Sequence, residues 1–162
     1  GQAAYVPQSP QILNTSLREN VLFGTEFEEV RYRKALRACC LEQDLAQFSE
    51  GDSTEIGEKG ITISGGQRAR VALARAYYAG ADVVVLDDPL SAMDSHVGAA
   101  VFQNCILALR SQGKAVLLMT NQLSLCSAAD NVVVLEAGCV AAQGDIRKLA
   151  ALTGSQFAGL FS

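Results

Sequence analysis

The sequence has 162 residues, 49% of them hydrophobic and 19% charged, with a formal net charge of -4 at pH 7. This length suits one domain with a real core, and the composition excludes a disordered chain. An acidic balance with no Lys/Arg run excludes a nucleic-acid backbone as the main partner, and no apolar run approaches the roughly 20 residues of a membrane-crossing helix.

In chain order, Ala3-Ala4-Tyr5-Val6 reads as a short strand ending at Pro7-Gln8-Ser9-Pro10, where two prolines force an extended loop. Ser16-Leu17-Arg18-Glu19 has capping-box spacing, so Leu17 to Phe23 reads as a short helix with Gly24 as its stop. Tyr32, Ala35, Leu36, Cys39 and Cys40 form one stripe of a helix over Glu28 to Cys40, whose first-turn acids suit the macrodipole. A shorter helix follows over Glu42 to Phe48, then a turn-rich loop from Gly51 to Gly60.

A helix is expected from Gly65 to about Ala79. The continuous apolar run Ala81 to Leu86 predicts a parallel strand buried on both faces. Val97 to Leu109 reads as a helix and Ala115 to Met119 as another buried strand. Asn131 to Leu135 and Cys139 to Ala142 read as strands around a turn at Gly138, and Asp145 to Leu152 as a last helix. Residues 11 to about 75 are thus helical, whereas 81 to 142 alternate strand and helix, the pattern of a parallel α/β sheet. The five cysteines, Cys39, Cys40, Cys105, Cys126 and Cys139, make no C-x-x-C pair and read as small hydrophobes in a reducing compartment. His96, the single histidine, leaves no metal cluster to build. Gly1-Gln2-Ala3 has neither an initiator Met nor a signal-peptide pattern, and the expectation is a chain cut from something longer.

Four segments carry chemistry. Val83-Val84-Val85-Leu86-Asp87-Asp88-Pro89 is an apolar strand ending in two carboxylates, at the strand edge where ligands sit in open α/β sheets. One acid there holds Mg²⁺ on a nucleotide, and its neighbour orients water; the plain alternative is a pair of solvated acids. Ile63-Ser64-Gly65-Gly66-Gln67 contains a capping box that starts a helix. The two glycines add what a cap does not need, letting backbone N–H groups approach an anion at the positive end of the helix. Gln8 between prolines and Ser91-Ala92-Met93-Asp94 after the paired acids are unremarkable as isolated loop segments.

As an ordered set these segments resemble the ATP-binding cassette (ABC) family over essentially the whole chain. Tyr5-Val6-Pro7-Gln8 is similar to its Q-loop, and Ile63 to Gln67 to its signature, with Ile for the usual leading Leu. Leu86-Asp87-Asp88-Pro89 is similar to Walker B and Ser91 to Asp94 to the D-loop. Ser16 to Gly24, Glu55 to Ile61 and Asp87 to Gly98 resemble the multidrug-resistance-associated subfamily C, in the first of its two nucleotide-binding domains. The resemblance implies a P-loop NTPase-type (RecA-like) parallel sheet with an inserted helical signature subdomain: about 11–75 helical, 1–10 and 76–162 sheet core. It implies ATP as substrate and Mg²⁺ as cofactor on the cytosolic face of a membrane exporter. The implied partners are a second nucleotide-binding domain and the transmembrane domains of the same polypeptide. In the implied roles Asp87 and Gln8 hold Mg²⁺, Asp88 and Gln8 act catalytically with Asn121, and Ser64, Gly65, Gly66, Gln67 and Asp94 contact nucleotide.

Three departures bear on activity. No G-x-x-x-x-G-K-[ST] pattern is present; around the one Gly-Lys pair, Gly113-Lys114, Ala108 and Ala115 stand at the first-Gly and Ser/Thr positions. The expectation is that this loop lies upstream of residue 1. Asp88 stands where most of the family has a catalytic Glu, and Asn121 where it has a switch His. An Asp carboxylate falls about 1 Å short, a misplacement that costs about 10²-fold in rate, and Asn carries no proton or charge. The site at Asp87-Asp88 is therefore expected to bind ATP and hydrolyse it poorly, with the signature serving the partner's site. Two alternatives remain open from the residues: a soluble ABC ATPase acting on ribosomes or chromosomes, and a non-catalytic truncated product.

Overall fold

Three apolar runs find one another in the computed structural model, which describes residues 1–151. Strand β1 (Ala3–Val6) pairs in parallel with β4 (Val83–Asp87), and β4 in parallel with β5 (Ala115–Met119), in the order β1-β4-β5. The register aligns Val6 with Leu86 and Asp87 with Met119. The chain forms two compact units, one of Gly1–Met119 and one beginning at Thr120. The Leu152 end of the expected last helix and the tail after Gly154 lie outside the described residues.

One expectation for the sheet fails. β4 is not buried on both faces: Val84 and Leu86 are fully buried, but Val83 is 41% exposed. Tyr5, Leu117 and Met119 are also exposed, on the same alternating positions of β1 and β5. The opposite set, with Val6, Val84 and Leu86, faces the core. An apolar run states that a strand is suited to burial on both sides; it does not supply the layer that would cover the second side.

The covered face lies under a helical layer. α4 (Gly65–Ala79) follows the expected boundaries, with Ser64 as N-cap and Gly80 at φ 67° closing it. Leu73, Ala74 and Tyr78 are buried along it, and it packs on α1 (Leu17–Leu22), on α2 (Glu29–Ala38) and on β1. Ser16 caps α1 by accepting from Glu19 N, and the Glu28 carboxylate caps α2 by accepting from Val30 N and Arg31 N. α3 (Glu42–Gln47) follows. The stretch read as loop contains a 3-10 turn at Gly51–Ser53 and a two-residue strand β3 (Glu55–Ile56), which pairs antiparallel with β2 (Thr15–Ser16). After β4 the helix runs as α5 (Ser95–Val101), a π turn (Phe102–Ile106) and α6 (Leu107–Ser111).

In the second unit a 3-10 turn (Leu123–Ala128) precedes β6 (Val132–Glu136) and β7 (Cys139–Gly144), an antiparallel hairpin. Ala137 and Gly138 both have positive φ, as a tight two-residue hairpin turn requires. Leu149 of α7 (Ile146–Ala151) is buried. The five cysteines are free thiols; Cys39 and Cys105 are buried as expected, but Cys139 is exposed on β7. Among the described residues no helix is long and apolar enough to cross a membrane.

Asn20, fully buried at the first helix, organises the segment that leads out of β1. Its Oδ1 accepts from Leu13 N at 2.8 Å, and its Nδ2 donates to Leu13 O at 2.9 Å and Ser16 O at 3.0 Å. From α4, the Arg75 guanidinium donates to Asn20 O at 2.8 Å and lies 4.4 Å over the Phe23 ring. Burial lowers the Arg75 pKa from its ordinary value, so these neutral acceptors hold a cation that has lost part of its hydration. Asn20→Ala strands several buried partners at once. A loss of about 2–3 kcal/mol is expected, read as a lower urea midpoint at unchanged slope.

Candidate functional site

Two groups of polar residues meet solvent at opposite ends of the Asp88-to-Asp94 loop. At the first, parallel pairing brings the carboxyl ends of β1 and β4 to one edge, so Gln8 leaves the sheet where Asp87 and Asp88 do. Gln8 is exposed. Asp87 closes β4, and its Oδ2 accepts from the Tyr5 hydroxyl at 3.3 Å, a long bond for a hydroxyl donor.

Asp88 is held in an uncommon conformation, φ 44°, in the left-handed region that Asp tolerates better than most residues. Its N–H donates to Met119 O at 2.9 Å, and its carbonyl accepts from Ser91 Oγ at 2.8 Å. The backbone is thus fixed from both sides. Its Oδ1, however, is buried without a partner. A buried carboxylate oxygen left in that state costs free energy until a donor or cation reaches it. No group of three or more His, Cys, Asp or Glu able to hold a metal occurs among the described residues. A cation here would rest on one or two carboxylates plus ligand oxygens, which is how Mg²⁺ is held beside phosphates. The residues present fit that ion.

The second group is the N-terminal turn of α4. Ser64 Oγ accepts from Gln67 N at 3.1 Å while Gln67 Oε1 accepts from Ser64 N at 2.8 Å, a complete capping box. The N–H groups of Gly65 and Gly66 lie in the first turn, where no intrahelical acceptor exists. Ser64, Gly65 and Gly66 line a cleft of about 230 Å³ whose other wall is Ala92, Met93, Asp94 and Val97, with Arg70 at its base. The walls are close: a Cβ on Gly66 would stand 2.9 Å from Ala92 O, whereas one on Gly65 meets nothing nearer than 3.9 Å. Gly66 therefore exists for backbone approach. Asp94 caps α5, its Oδ1 accepting from His96 N and Val97 N, and the Val97 bond holds its carboxyl below the ordinary range.

The structure thus assembles Gln8, Asp87 and Asp88 at one edge, and Ser64, Gly65, Gly66 and Asp94 around one cleft. Gln67 borders that cleft with its side chain turned inward. Asn121 belongs to the second unit, exposed, next to Thr120, whose Oγ1 accepts from Gln122 N at 3.0 Å. Two contributors escape sequence reasoning. Tyr5 had a usable signal: strand alternation and the Tyr5–Val85 pairing put it on the same face as Asp87. Asp44, which binds Gln67 Nε2 at 2.8 Å from 23 positions away, had none.

The sequence pattern of the family described as ABC transporter matches residues 1–91. The chain is 50% identical over 149 residues to "ABC transporter C family member 12" of Dictyostelium discoideum, covering 92% of this chain and 11% of that protein. It is 45% identical over 149 residues to "ABC transporter C family member 9" of Arabidopsis thaliana, covering 92% and 10%. With the "Multidrug resistance protein" of Leishmania tarentolae it shares 50% over 148 residues, covering 91% and 10%. The chain spans about a tenth of the length of these relatives.

The glycine geometry separates two neighbours that the sequence treats alike. Gly66→Ala is expected to cost about 1–3 kcal/mol, because backbone must move to admit the methyl group. Gly65→Ala is expected to leave the thermal midpoint unchanged or slightly raised, since Ala favours the helix. Equal melts for the two variants would contradict the close approach of Ala92.

Proposed function

The chain belongs to the ABC transporter family, and from that premise we propose that it is the ATP-binding and ATPase domain of a subfamily-C membrane exporter, working as one half of a nucleotide-bridged pair. The observation that most supports this is the capped turn at Ser64 to Gln67, whose two glycines open on a cleft too shallow to be a whole nucleotide site. A helix N-terminus with free N–H groups stabilises phosphate charge, and here it faces outward, toward a ligand whose other contacts come from elsewhere. In this reading a second nucleotide-binding domain supplies those contacts, and transmembrane domains of the same polypeptide receive the motion at the cytosolic face. In this reading residues 11–75 are the signature-bearing helical part, and residues 1–10 with the segment from 76 through β5 are the sheet core.

At the acid end, Asp87 and Gln8 are the groups to hold Mg²⁺, which neutralises charge on the phosphates when bound. Asp88 orients the attacking water with its unpartnered Oδ1, and Asn121 stands at the position of the family's switch residue. Asp88 is one methylene shorter than Glu and anchored by its own backbone, so it cannot advance to the usual position. We assign this site to binding ATP with slow hydrolysis, about 10² below a Glu-bearing site. Ser64, Gly65, Gly66 and Gln67, with Asp94, serve the opposite site, where the partner domain brings its own base.

Titration of the chain with ATP and Mg²⁺ by calorimetry tests the divided site. No saturation up to millimolar ATP is expected, because neither residue group cradles a triphosphate alone; a micromolar Kd would mean a complete cradle within this chain and would sink the proposal. In a transporter polypeptide that includes the chain, Gly66→Asp is expected to abolish ATP-driven transport, through both the clash at Ala92 O and a negative charge where phosphate belongs.

A further inference from the structure

Asp44 is a largely buried acid with no part in the reading above. Its side chain and that of Arg70 are each 12% exposed, and they form an ion pair. Arg70 Nη1 donates to Asp44 Oδ2, and Nη2 to Oδ1 at 3.1 Å; Nη1 also donates to the Cys40 carbonyl at 2.6 Å. The carboxylate has one more donor, Gln67 Nε2, at 2.8 Å on Oδ1. The other end of the same amide accepts from Ser64 N at 2.8 Å.

A side-chain amide has a donor end and an acceptor end, and its surroundings decide which way it points. An ionised carboxylate only accepts, so it admits the NH₂ end of Gln67 and repels the oxygen. With the NH₂ end committed to Asp44, the oxygen is delivered to the Ser64 N–H. Reversal would place oxygen against carboxylate and an NH₂ against an N–H, losing both bonds. The charge on α3 thus sets the cap of α4, 20 positions away in sequence.

We propose that Asp44 is a positioning residue for the Ser64–Gln67 turn. By orienting Gln67, it holds Ser64 in place and keeps the Gln67 side chain inside the protein as a cap. The Ser64 hydroxyl and the Gly65 and Gly66 N–H groups then remain as the atoms that face a phosphate. The nucleotide part of this statement rests on the function proposed above; the positioning part does not.

Amide hydrogen exchange by NMR, with parallel thermal melts, tests it on the whole chain. Asp44→Asn removes the charge that pairs with Arg70 but keeps an oxygen for Gln67 Nε2. Asp44→Ala removes both, and Gln67→Leu removes the cap while leaving the ion pair intact. The two Asp44 variants are expected to melt at similarly lowered temperatures. Ser64 N–H exchange, measured relative to Leu73 in mid-helix, is expected to rise about tenfold in Asp44→Ala and Gln67→Leu and by much less in Asp44→Asn, the loss of one hydrogen bond being worth roughly that factor. If Asp44→Ala fails to fold, the contrast between Gln67→Leu and Asp44→Asn carries the same test. Ser64 and Leu73 exchange rising in step in every variant, or an unchanged Ser64 in Gln67→Leu, would overturn the proposal. The nucleotide premise is read separately by the Gly66→Asp transport assay described above: transport that survives that substitution counts against the premise, while the exchange data decide the positioning.

Discussion

The placement of α4 is the constraint on which the first unit depends. Contacts spaced along one helix fix several separate pieces of the chain. Its N-terminal turn meets the Ala92 carbonyl so closely that only glycine fits at position 66. One turn further on, Arg70 pairs with Asp44 and ties down the Cys40 carbonyl at the end of α2. In the C-terminal half, Arg75 holds Asn20 and Tyr78 accepts from Glu28 N, so the segments entering α1 and α2 are gripped as well. A rigid rod with polar clamps spaced along it carries positional information that an apolar contact alone does not, because hydrogen bonds and ion pairs tolerate little displacement.

These clamps are costly to bury and are tolerated because they are complete. The Asp44 carboxylate has donors on both oxygens, and the Asn20 amide is used at both ends. A buried ion pair adds little net stability over an apolar packing of the same shape. What this one adds is orientation: it selects one of two amide settings for Gln67. The contrast with Asp88 is informative. Among the buried side-chain atoms that lack a partner, Asp88 Oδ1 stands at a strand end where ligand is expected, on a backbone held at positive φ. The satisfied side-chain clamps along the body of α4, against the open valence of the Asp88 carboxylate and the free first-turn N–H groups, separate scaffold from site.

Much of this was legible in the sequence, for identifiable reasons. The limits of α4 could be read because its start and stop are local chemistry: a Ser64–Gln67 capping box and a glycine at position 80 that adopts the left-handed conformation. A parallel sheet, though not its strand order, followed from apolar runs separated by helical segments, and the paired acids at the end of β4 marked the ligand edge. What could not be read depended on contacts remote in sequence or on surfaces the chain does not itself cover. Asp44 is one acid among several in a short polar helix, and only its meeting with Arg70 and Gln67 distinguishes it. The exposed face of the sheet, with Tyr5, Val83 and Leu117, has the same apolar pattern as the buried one, and pattern alone does not say which side acquires a cover.

The loop from Asp88 to Asp94 joins the two polar ends, and each of its residues with a recorded contact is committed to one of them. The Asp88 carbonyl accepts from Ser91, the Leu90 side chain is buried, and Met93 N returns to Leu90 O. Ala92 presents its carbonyl to Gly66, and Asp94 caps α5. Four hydrogen-bonded or close-packed steps therefore lie between the unpartnered carboxylate and the glycine turn, with no slack segment between them. A ligand that drew the Asp88 side chain outward would pull on a backbone already anchored at Met119 and Ser91, and any yielding would appear at Ala92, against a glycine that has no room to give. The same shortness that lets one loop serve both ends makes their geometries interdependent, so that the spacing between acid and signature is set by this loop and by the seat of α4 together.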